Sequence, residues 1–307
     1  MITSTVKRFR NAAASAVATA VFRAPALERP FAHAASVCRG VPVLHTVFRE
    51  ATDRLGRRLN QTSRQFRTVR IGPVAARFDV TDLAIRGQYF ARLPYERGAT
   101  ELLLRVLQPG HVFVDVGANA GYFTVLAALR VGDNGRVYAF EPNPAMCSRL
   151  RRHVEENAVA SRVVVSEVAL GALDESVDLY LSCRSDNPGL SSVKLIEAAV
   201  ARGDMRPDAK IPVAARTLDT WLADAVPLRI DLIKIDVEGA EMDVLAGMEQ
   251  TIGRLRPRRI ICETLPEGEA DAFLRARGYA RTVLDEIPGG IPNLLFERTS
   301  PSEGTAA

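Results

Sequence analysis

The 307-residue sequence contains little of what metal centres, disulfide frameworks and membrane spans require. Its four cysteines lie far apart, with no C-x-x-C pair and no histidine at ligand spacing, so neither a zinc site nor a disulfide framework is expected. Free thiols are typical of a reducing cytoplasm, where we expect the protein to reside. No run of 18 apolar residues occurs, so no segment is expected to span a membrane. No residue cluster indicates a metal.

Acidic residues are scarce in residues 1–70, which contain 13 Lys/Arg and 3 Asp/Glu, a balance of +10. The remaining residues contain 27 and 33, a balance of −6. The sequence therefore predicts a basic arm (residues 1–72) followed by a mildly acidic domain (residues 73–298) and a disordered tail (residues 299–307). The net charge of +4 is no indication that the domain binds nucleic acid, and no nucleic-acid partner is expected.

The arm is rich in alanine and arginine and admits three interpretations. Its basic start and small residues superficially match a secretory signal, and its Arg-rich, acid-poor composition matches a transit peptide. The alanine run is too weakly apolar for a good signal. We favour short helices. The first would pack one face on the domain, a partner or a membrane surface, and that face consists of Val6, Phe9, Ala13, Val17 and Val21.

From about residue 73 the pattern alternates between apolar runs and amphipathic segments. "VFVDV", "RVYAFEP", "VVVSEVAL", "IDLIKID" and "RRIICET" are typical of strands, and helical segments such as "GYFTVLAALRVG" lie between them. Strands that alternate with helices of this length build a parallel, doubly wound α/β sheet. "NLLFER" is expected to be the closing strand.

The stretch "VFVDVGANAGYF" places an acid, Asp115, at the end of a buried strand before a turn with Gly117 and Gly121. In an open parallel sheet, ligands bind beyond the carboxyl ends of the strands, where a glycine turn lets the backbone approach them. Glu141 ends the next strand, 24 residues after Gly117, where a carboxylate suits the two hydroxyls of a ribose.

The spacing of this turn distinguishes between cofactors. A dinucleotide site has the pattern G-x-G-x-x-G, whereas this sequence has D-x-G-x-x-x-G. A carboxylate before the glycines would repel a pyrophosphate but would suit the ammonium and sulfonium of S-adenosylmethionine. The turn and Glu141 together therefore favour S-adenosylmethionine.

A third stretch, "IDLIKIDVEGAEMDVLAGM", collects charges at the end of an apolar strand. Lys234 and Asp236 share one face because side chains alternate along a strand, and Glu238 lies just beyond the strand end. Charges there are costly unless they are paired or used. They either form a structural ion pair or line the cofactor cleft.

Jointly these motifs resemble the FkbM family of S-adenosylmethionine-dependent methyltransferases. The resemblance rests on "VFVDVGANAGYFTVLAA", "GRVYAFEPNP", "RTLDTWL" and "IDLIKIDVEGAEMDVLAGM" and runs from about residue 80 to residue 264. It implies a Rossmann-like sheet of seven strands with the last strand antiparallel. It also implies methyl transfer, usually to a hydroxyl of a secondary metabolite or a glycan.

Carried over residue by residue, the resemblance implies two groups of cofactor-site residues. Asp115, Gly117, Asn119 and Gly121 would surround the methionine part of the cofactor, and Glu141 would bind its ribose.

The same resemblance implies that Asp236 and Glu238 lie near the reacting methyl group. A hydroxyl acceptor must lose a proton, so a positioned base is expected. Asp236 is the first candidate for that base, Glu238 the second, and Lys234 would orient either.

Residues 183–207 interrupt the alternation and are too long for a plain connection. We expect either a surface excursion or a lid that carries acceptor specificity, with Asn187, Ser191 and Ser192 as polar contacts. Two other functions stay open from sequence alone. One is a nicotinamide-dependent oxidoreductase on the same sheet, and the other is a non-catalytic protein that binds a cofactor or a partner.

Overall fold

The chain divides into two compact units in a computed structural model that describes residues 2–62, 65–92, 94–184, 188–225, 229–285 and 290–298. The first unit comprises residues 1–71 and 75–95, and the second comprises residues 72–74 and 96–307. Residues 75–95, which the sequence interpretation assigned to the methyltransferase domain, thus lie in the first unit. The predicted tail lies outside the described residues.

The first unit is mostly helical, as the arm composition predicts. Its elements are α1 (Ile2–Arg23), α2 (Glu28–Val37), α3 (Pro42–Leu59), the paired strands β1 (Phe66–Ile71) and β2 (Val74–Asp79), and α4 (Leu83–Ala91). Helix α4 begins at Asp82, whose carboxylate accepts the backbone N–H groups of Ala84 and Ile85.

Helix α1 buries a face that shares only Val21 with the predicted one. Ala14, Ala18 and Val21 are buried, whereas Val6 and Phe9 are exposed. The small alanines let α1 approach α3 closely, so they replace the larger side chains as the contact face.

The second unit is built on a seven-stranded sheet in the order β5–β4–β3–β9–β10–β12–β11. Neighbouring strands from β5 to β10 are parallel, and β12 is antiparallel to both β10 and β11. The strands are β3 (Val112–Val116), β4 (Arg136–Phe140), β5 (Val163–Ser166), β9 (Leu232–Ile235), β10 (Arg259–Glu263), β11 (Tyr279–Asp285) and β12 (Asn293–Arg298). The predicted seven strands and antiparallel last strand are confirmed.

The second unit also contains eight described α-helices. They are α5 (Arg97–Val106), α6 (Tyr122–Val131), α7 (Pro144–Glu156), α8 (Glu197–Ala201), α9 (Leu218–Ala225), α10 (Glu241–Ala246), α11 (Glu249–Arg254) and α12 (Glu269–Ala276). The chain passes from β3 outward to β5 and returns to β9 on the other side of β3. The strand order therefore reverses at β3 and β9, and a cleft opens at their carboxyl ends.

Two details differ from the sequence expectation. "VVVSEVAL" is not one strand: β5 ends at Ser166, and Ala169–Leu170 (β6) pairs with another strand. β6 joins β7 (Glu175–Ser182) and β8 (Met205–Arg216) in a separate three-stranded sheet, so the chain leaves the main sheet between β5 and β9. Strand β11 was not recognised because its sequence mixes charged and apolar residues.

Within the described part of the chain, none of the helices has the length and apolar character needed to cross a membrane.

Candidate functional site

The glycine turn after β3 is shaped by close packing inside the protein. Gly117 has a φ of +80°, and a Cβ there would lie 1.8 Å from the carbonyl oxygen of Asp236. Gly121 has a φ of +91°, and a Cβ there would lie 2.3 Å from Leu150 Cδ1. The two glycines are thus required by the β9 end and by α7, a reason that sequence spacing did not reveal.

Glu141 connects the end of β4 to this turn. One carboxylate oxygen accepts the backbone N–H of Asn119 at 2.8 Å, and the other accepts the N–H of Asn143 at 2.8 Å. Burial raises the pKa of Glu141 to about 7, although the two backbone hydrogen bonds act in the opposite direction. Each oxygen keeps a further lone pair, so the carboxylate can still accept hydrogen bonds from a ribose.

His153 supports the turn from α7 and was missed by the sequence interpretation. Its Nδ1 lies 2.6 Å from the carbonyl oxygen of Ala120, and the ring is buried. Since a carbonyl only accepts, Nδ1 must carry the proton in this contact. His153 lies on the buried face of α7, three residues after Leu150, and this position in the helix pattern could have identified it.

Asp115 is buried under the turn. Its Oδ2 accepts a hydrogen bond from Thr124 Oγ1 at 2.5 Å, and it pairs in register with Lys234 on β9. Burial raises the pKa of Asp115 to about 6, while Thr124 and Lys234 act to lower it.

Lys234 lies at the centre of the charged residues and is only 2% exposed. Its Nζ lies 2.6 Å from Asp236 Oδ2, 3.3 Å from Glu96 Oε2 and 4.6 Å from the centre of the Phe123 ring. Burial acts to lower the pKa of Lys234, but the charges of Asp236 and Glu96 outweigh it and raise the pKa above its ordinary value. The lysine is therefore a permanent cation between two carboxylates.

Two acids next to this lysine were missed by the sequence interpretation. Glu263 ends β10, next to β9, and burial followed by the charges of Asp236 and Glu238 raises its pKa to about 10. Glu96 precedes α5 with a φ of +37° and accepts a hydrogen bond from Asn293 Nδ2 at 3.1 Å. The position of Glu263 at a strand end next to β9 could have identified it, whereas no local pattern marks Glu96.

Glu238 follows β9 in a left-handed conformation with a φ of +55°. Burial, followed by the charges of Asp236 and Glu241, raises the pKa of Glu238 to about 7. Non-glycine residues in this region of φ and ψ are strained, and the surrounding structure must hold them in place. Such residues cluster at functional sites.

The segment between β7 and β8 contacts this site. A Cβ at Gly189 would lie 2.0 Å from Asn119 Nδ2, so the backbone of this segment lies against the Asn119 side chain of the glycine turn. Ser191 Oγ accepts a hydrogen bond from Asn143 Nδ2 at 3.4 Å, and Ser192 Oγ donates to the Glu238 carbonyl oxygen at 2.7 Å. Asn187, the third predicted contact, lies outside the described residues.

The arrangement brings six carboxyl groups and one lysine to the ends of neighbouring strands: Glu96, Asp115, Glu141, Asp236, Glu238, Glu263 and Lys234. Such a site favours a cationic ligand. No group of His, Cys, Asp and Glu in the described ranges has the geometry of a metal site. All four cysteines are unpaired.

Comparison with known proteins identifies the family. The model of the methyltransferase FkbM domain matches residues 115–280, which include the turn, Glu141, the β9 end and Glu263. The chain belongs to the FkbM methyltransferase family. S-adenosylmethionine is therefore the methyl donor, and the acidic site fits its positive charge. Membership also excludes the nicotinamide-dependent alternative.

Three curated relatives are 29–30% identical to this FkbM-family chain over the aligned residues. The 2-O-methyltransferase NoeI of Sinorhizobium fredii is 29% identical over 48% of this chain and 62% of its own length. The methyltransferase sdnD of Sordaria araneosa is 30% identical over 54% of this chain and 72% of its own length. The 31-O-demethyl-FK506 methyltransferase FkbM of Streptomyces tacrolimicus is 30% identical over 56% of this chain and 74% of its own length.

Proposed function

We propose that the protein transfers the methyl group of S-adenosylmethionine to a hydroxyl of a secondary metabolite or a glycan. The observation that carries the proposal is the acidic site around Lys234, which lies against the glycine turn at the point where the strand order reverses. Relatives named as O-methyltransferases support oxygen as the accepting atom. The cofactor supplies an electrophilic methyl group on a positively charged sulfur.

The binding roles follow from the geometry. Glu141 would accept hydrogen bonds from the ribose hydroxyls with the lone pairs that Asn119 and Asn143 leave free. Gly117, Asn119 and Gly121 would present backbone groups to the methionine part, and Asp115 would favour its positive charge.

Proton removal from the acceptor is best assigned to Glu238. Asp236, the first candidate from sequence, is already held by Lys234, whose Nζ donates to its Oδ2 at 2.6 Å. Glu238 has a pKa of about 7, the range in which a general base works best at neutral pH. In this assignment Lys234 fixes Asp236, and Asp236 orients the acceptor hydroxyl toward Glu238.

The segment at residues 188–207 is proposed to be a lid over the site. Its hydroxyls have a narrower role than the sequence suggested. Ser191 also accepts the N–H of Ser182 at 3.1 Å, and Ser192 also accepts the N–H of Lys194 at 2.9 Å. Ser191 therefore links the segment to the start of α7, and Ser192 links it to the β9 end, so acceptor contacts would come from other atoms of the lid.

Limited proteolysis tests the lid. Cleavage at Arg184 or Arg202, both exposed, should slow when S-adenosylhomocysteine and an acceptor are bound together. Equal cleavage with and without ligands would contradict it.

The function itself is tested by titrating the purified protein with S-adenosylmethionine in a calorimeter. Micromolar or tighter binding is expected. The absence of binding would favour the non-catalytic alternative.

A further inference from the structure

One end of the N-terminal unit exposes large apolar side chains to solvent. They come from the first turns of α1 and α3 and from the connection between α2 and α3. These residues, called the apolar tip, are Val6, Phe9, Val37, Val41, Val43 and Leu44. Phe9 is 74% exposed and Val43 is 63% exposed, so neither contributes to the core.

Contacts between α1 and α3 place these residues at the same end of the unit. Arg10 Nε lies 2.9 Å from Glu50 Oε1, and Arg58 Nη1 donates to Thr19 Oγ1 at 2.7 Å. Residues about 40 positions apart are therefore side by side, and the two helices run in the same direction. The start of α1 consequently lies beside the start of α3.

The apolar stripe of α3 continues past the end of the core. Ala51, Leu55 and Leu59 are fully buried at helical spacing. Leu44 lies two turns before Ala51 on the same stripe but is 41% exposed. The core of the unit thus ends before the stripe does, and the tip presents apolar surface that this unit leaves uncovered.

Basic residues flank the tip. Lys7 and Arg8 are exposed and adjoin Val6 and Phe9 in the sequence, and Arg49 is exposed on α3. Residues 1–49 contain seven Lys/Arg and a single acid, Glu28, which is buried and paired with Arg67 at 2.6 Å. Glu50, the next acid along the chain, pairs with Arg10, so the tip combines apolar side chains with a segment whose remaining balance is positive.

We propose that the apolar tip binds the surface of an anionic phospholipid bilayer. Val6, Phe9, Val43 and Leu44 would enter the boundary between head groups and acyl chains, while the flanking basic residues meet the lipid phosphates. Apolar side chains interleaved with lysine and arginine are the composition that holds peripheral helices at such an interface. The positive charge favours an anionic bilayer over a neutral one or a second copy of this basic chain. The proposal is independent of the methyl-transfer reaction.

Vesicle flotation with the full-length protein tests the proposal. The probes are vesicles of phosphatidylcholine alone and vesicles that also contain phosphatidylglycerol. Wild-type protein should float with the anionic vesicles and not with the neutral ones, and rising salt should weaken the binding.

Two apolar variants, Val6→Ser/Phe9→Ser and Val43→Ser/Leu44→Ser, should each lower the partition coefficient by about tenfold or more, since each removes two insertable side chains. The matched control is Leu173→Ser/Leu265→Ser, because these leucines are also exposed but belong to the second unit. The control should bind like wild type.

Three results would overturn the proposal. They are no flotation with anionic vesicles, equal flotation with neutral vesicles, and equal loss of binding in the control. Sedimentation equilibrium would detect a fourth such result. If the wild-type protein self-associates but does not bind vesicles, and both tip variants abolish the self-association, the tip binds a second copy of the chain.

Discussion

Replacing Lys234 with methionine tests whether the buried cation holds the site together. The change keeps the side-chain length but leaves Asp236 and Glu96 facing an apolar group, at positions where the wild-type ammonium lies 2.6 Å and 3.3 Å from them. Removing one partner of a buried ion pair costs about 3–5 kcal/mol, because the remaining charge stays buried without compensation. We expect the free energy of unfolding, measured by urea denaturation at pH 8, to fall by about that amount.

Lys194 provides the matched control. Its Nζ lies 2.5 Å from Asp243 Oδ2, but the lysine side chain is 49% exposed. Exposed ion pairs contribute about 0–1 kcal/mol, so Lys194→Met should change the unfolding free energy by no more than that. Similar losses in the two variants would refute the argument, because burial would then not determine the contribution of the pair.

The pH dependence gives a second check on the same variant. Burial already raises the pKa of Asp115 from its ordinary 3.8 to about 6, and Lys234 acts to lower it. Without Lys234 that pKa should rise further, so the folded variant binds protons more strongly than the unfolded chain. Its stability must then fall as pH rises through the folded pKa. The difference in unfolding free energy between wild type and variant should therefore become smaller from pH 8 to pH 5. A difference that grows over this range would contradict the account.

The remaining predictions concern the cofactor, the base and the lid. Glu141→Ala should weaken S-adenosylmethionine binding by about 1.5–3 kcal/mol in calorimetry, and unchanged affinity in a folded variant would remove the ribose contact. Since a base must be deprotonated, turnover should rise with pH through about 7; Glu238→Gln should abolish most of it, whereas Asp236→Asn should retain a pH-dependent remnant. If Asp236→Asn lost more turnover than Glu238→Gln, Asp236 would be assigned as the base. Gly189→Ala places a Cβ 2.0 Å from Asn119 Nδ2, so either the Asn119 side chain or the lid must move; faster proteolysis of the lid is expected, and in the double variant with Asn119→Ala, which removes the clash, the digestion rate should return toward that of Asn119→Ala alone.

The sequence predicted the parts of the fold that depend on local pattern. Short apolar runs after helical segments identified β3, β4 and β10, and the family motifs supplied the order of the sheet. Strand β11 escaped because its sequence, "YARTVLD", mixes charged and apolar residues at the sheet edge. Strand β6 was not recognised because a strand of two residues is too short to show an alternating pattern.

The site could be predicted only where its residues share a motif. Lys234 and Asp236 lie two apart on one strand, so alternation alone places them together. Glu96 and Glu263 come from distant segments, and only the folded sheet brings them to the same lysine. The glycines were predicted correctly but for a different reason. From sequence, both were explained by the approach of the cofactor, whereas Asp236 and Leu150 leave no room for a Cβ at Gly117 and Gly121.

The most direct test of the central claim follows the methyl group itself. The protein is incubated with S-adenosylmethionine carrying a ¹³C-labelled methyl group and an extract, and the labelled product is isolated and examined by NMR. The account predicts a single labelled methyl bonded to oxygen, formed by wild type and not by Glu238→Gln. A labelled methyl on nitrogen or carbon, or equal labelling by the two proteins, would contradict it.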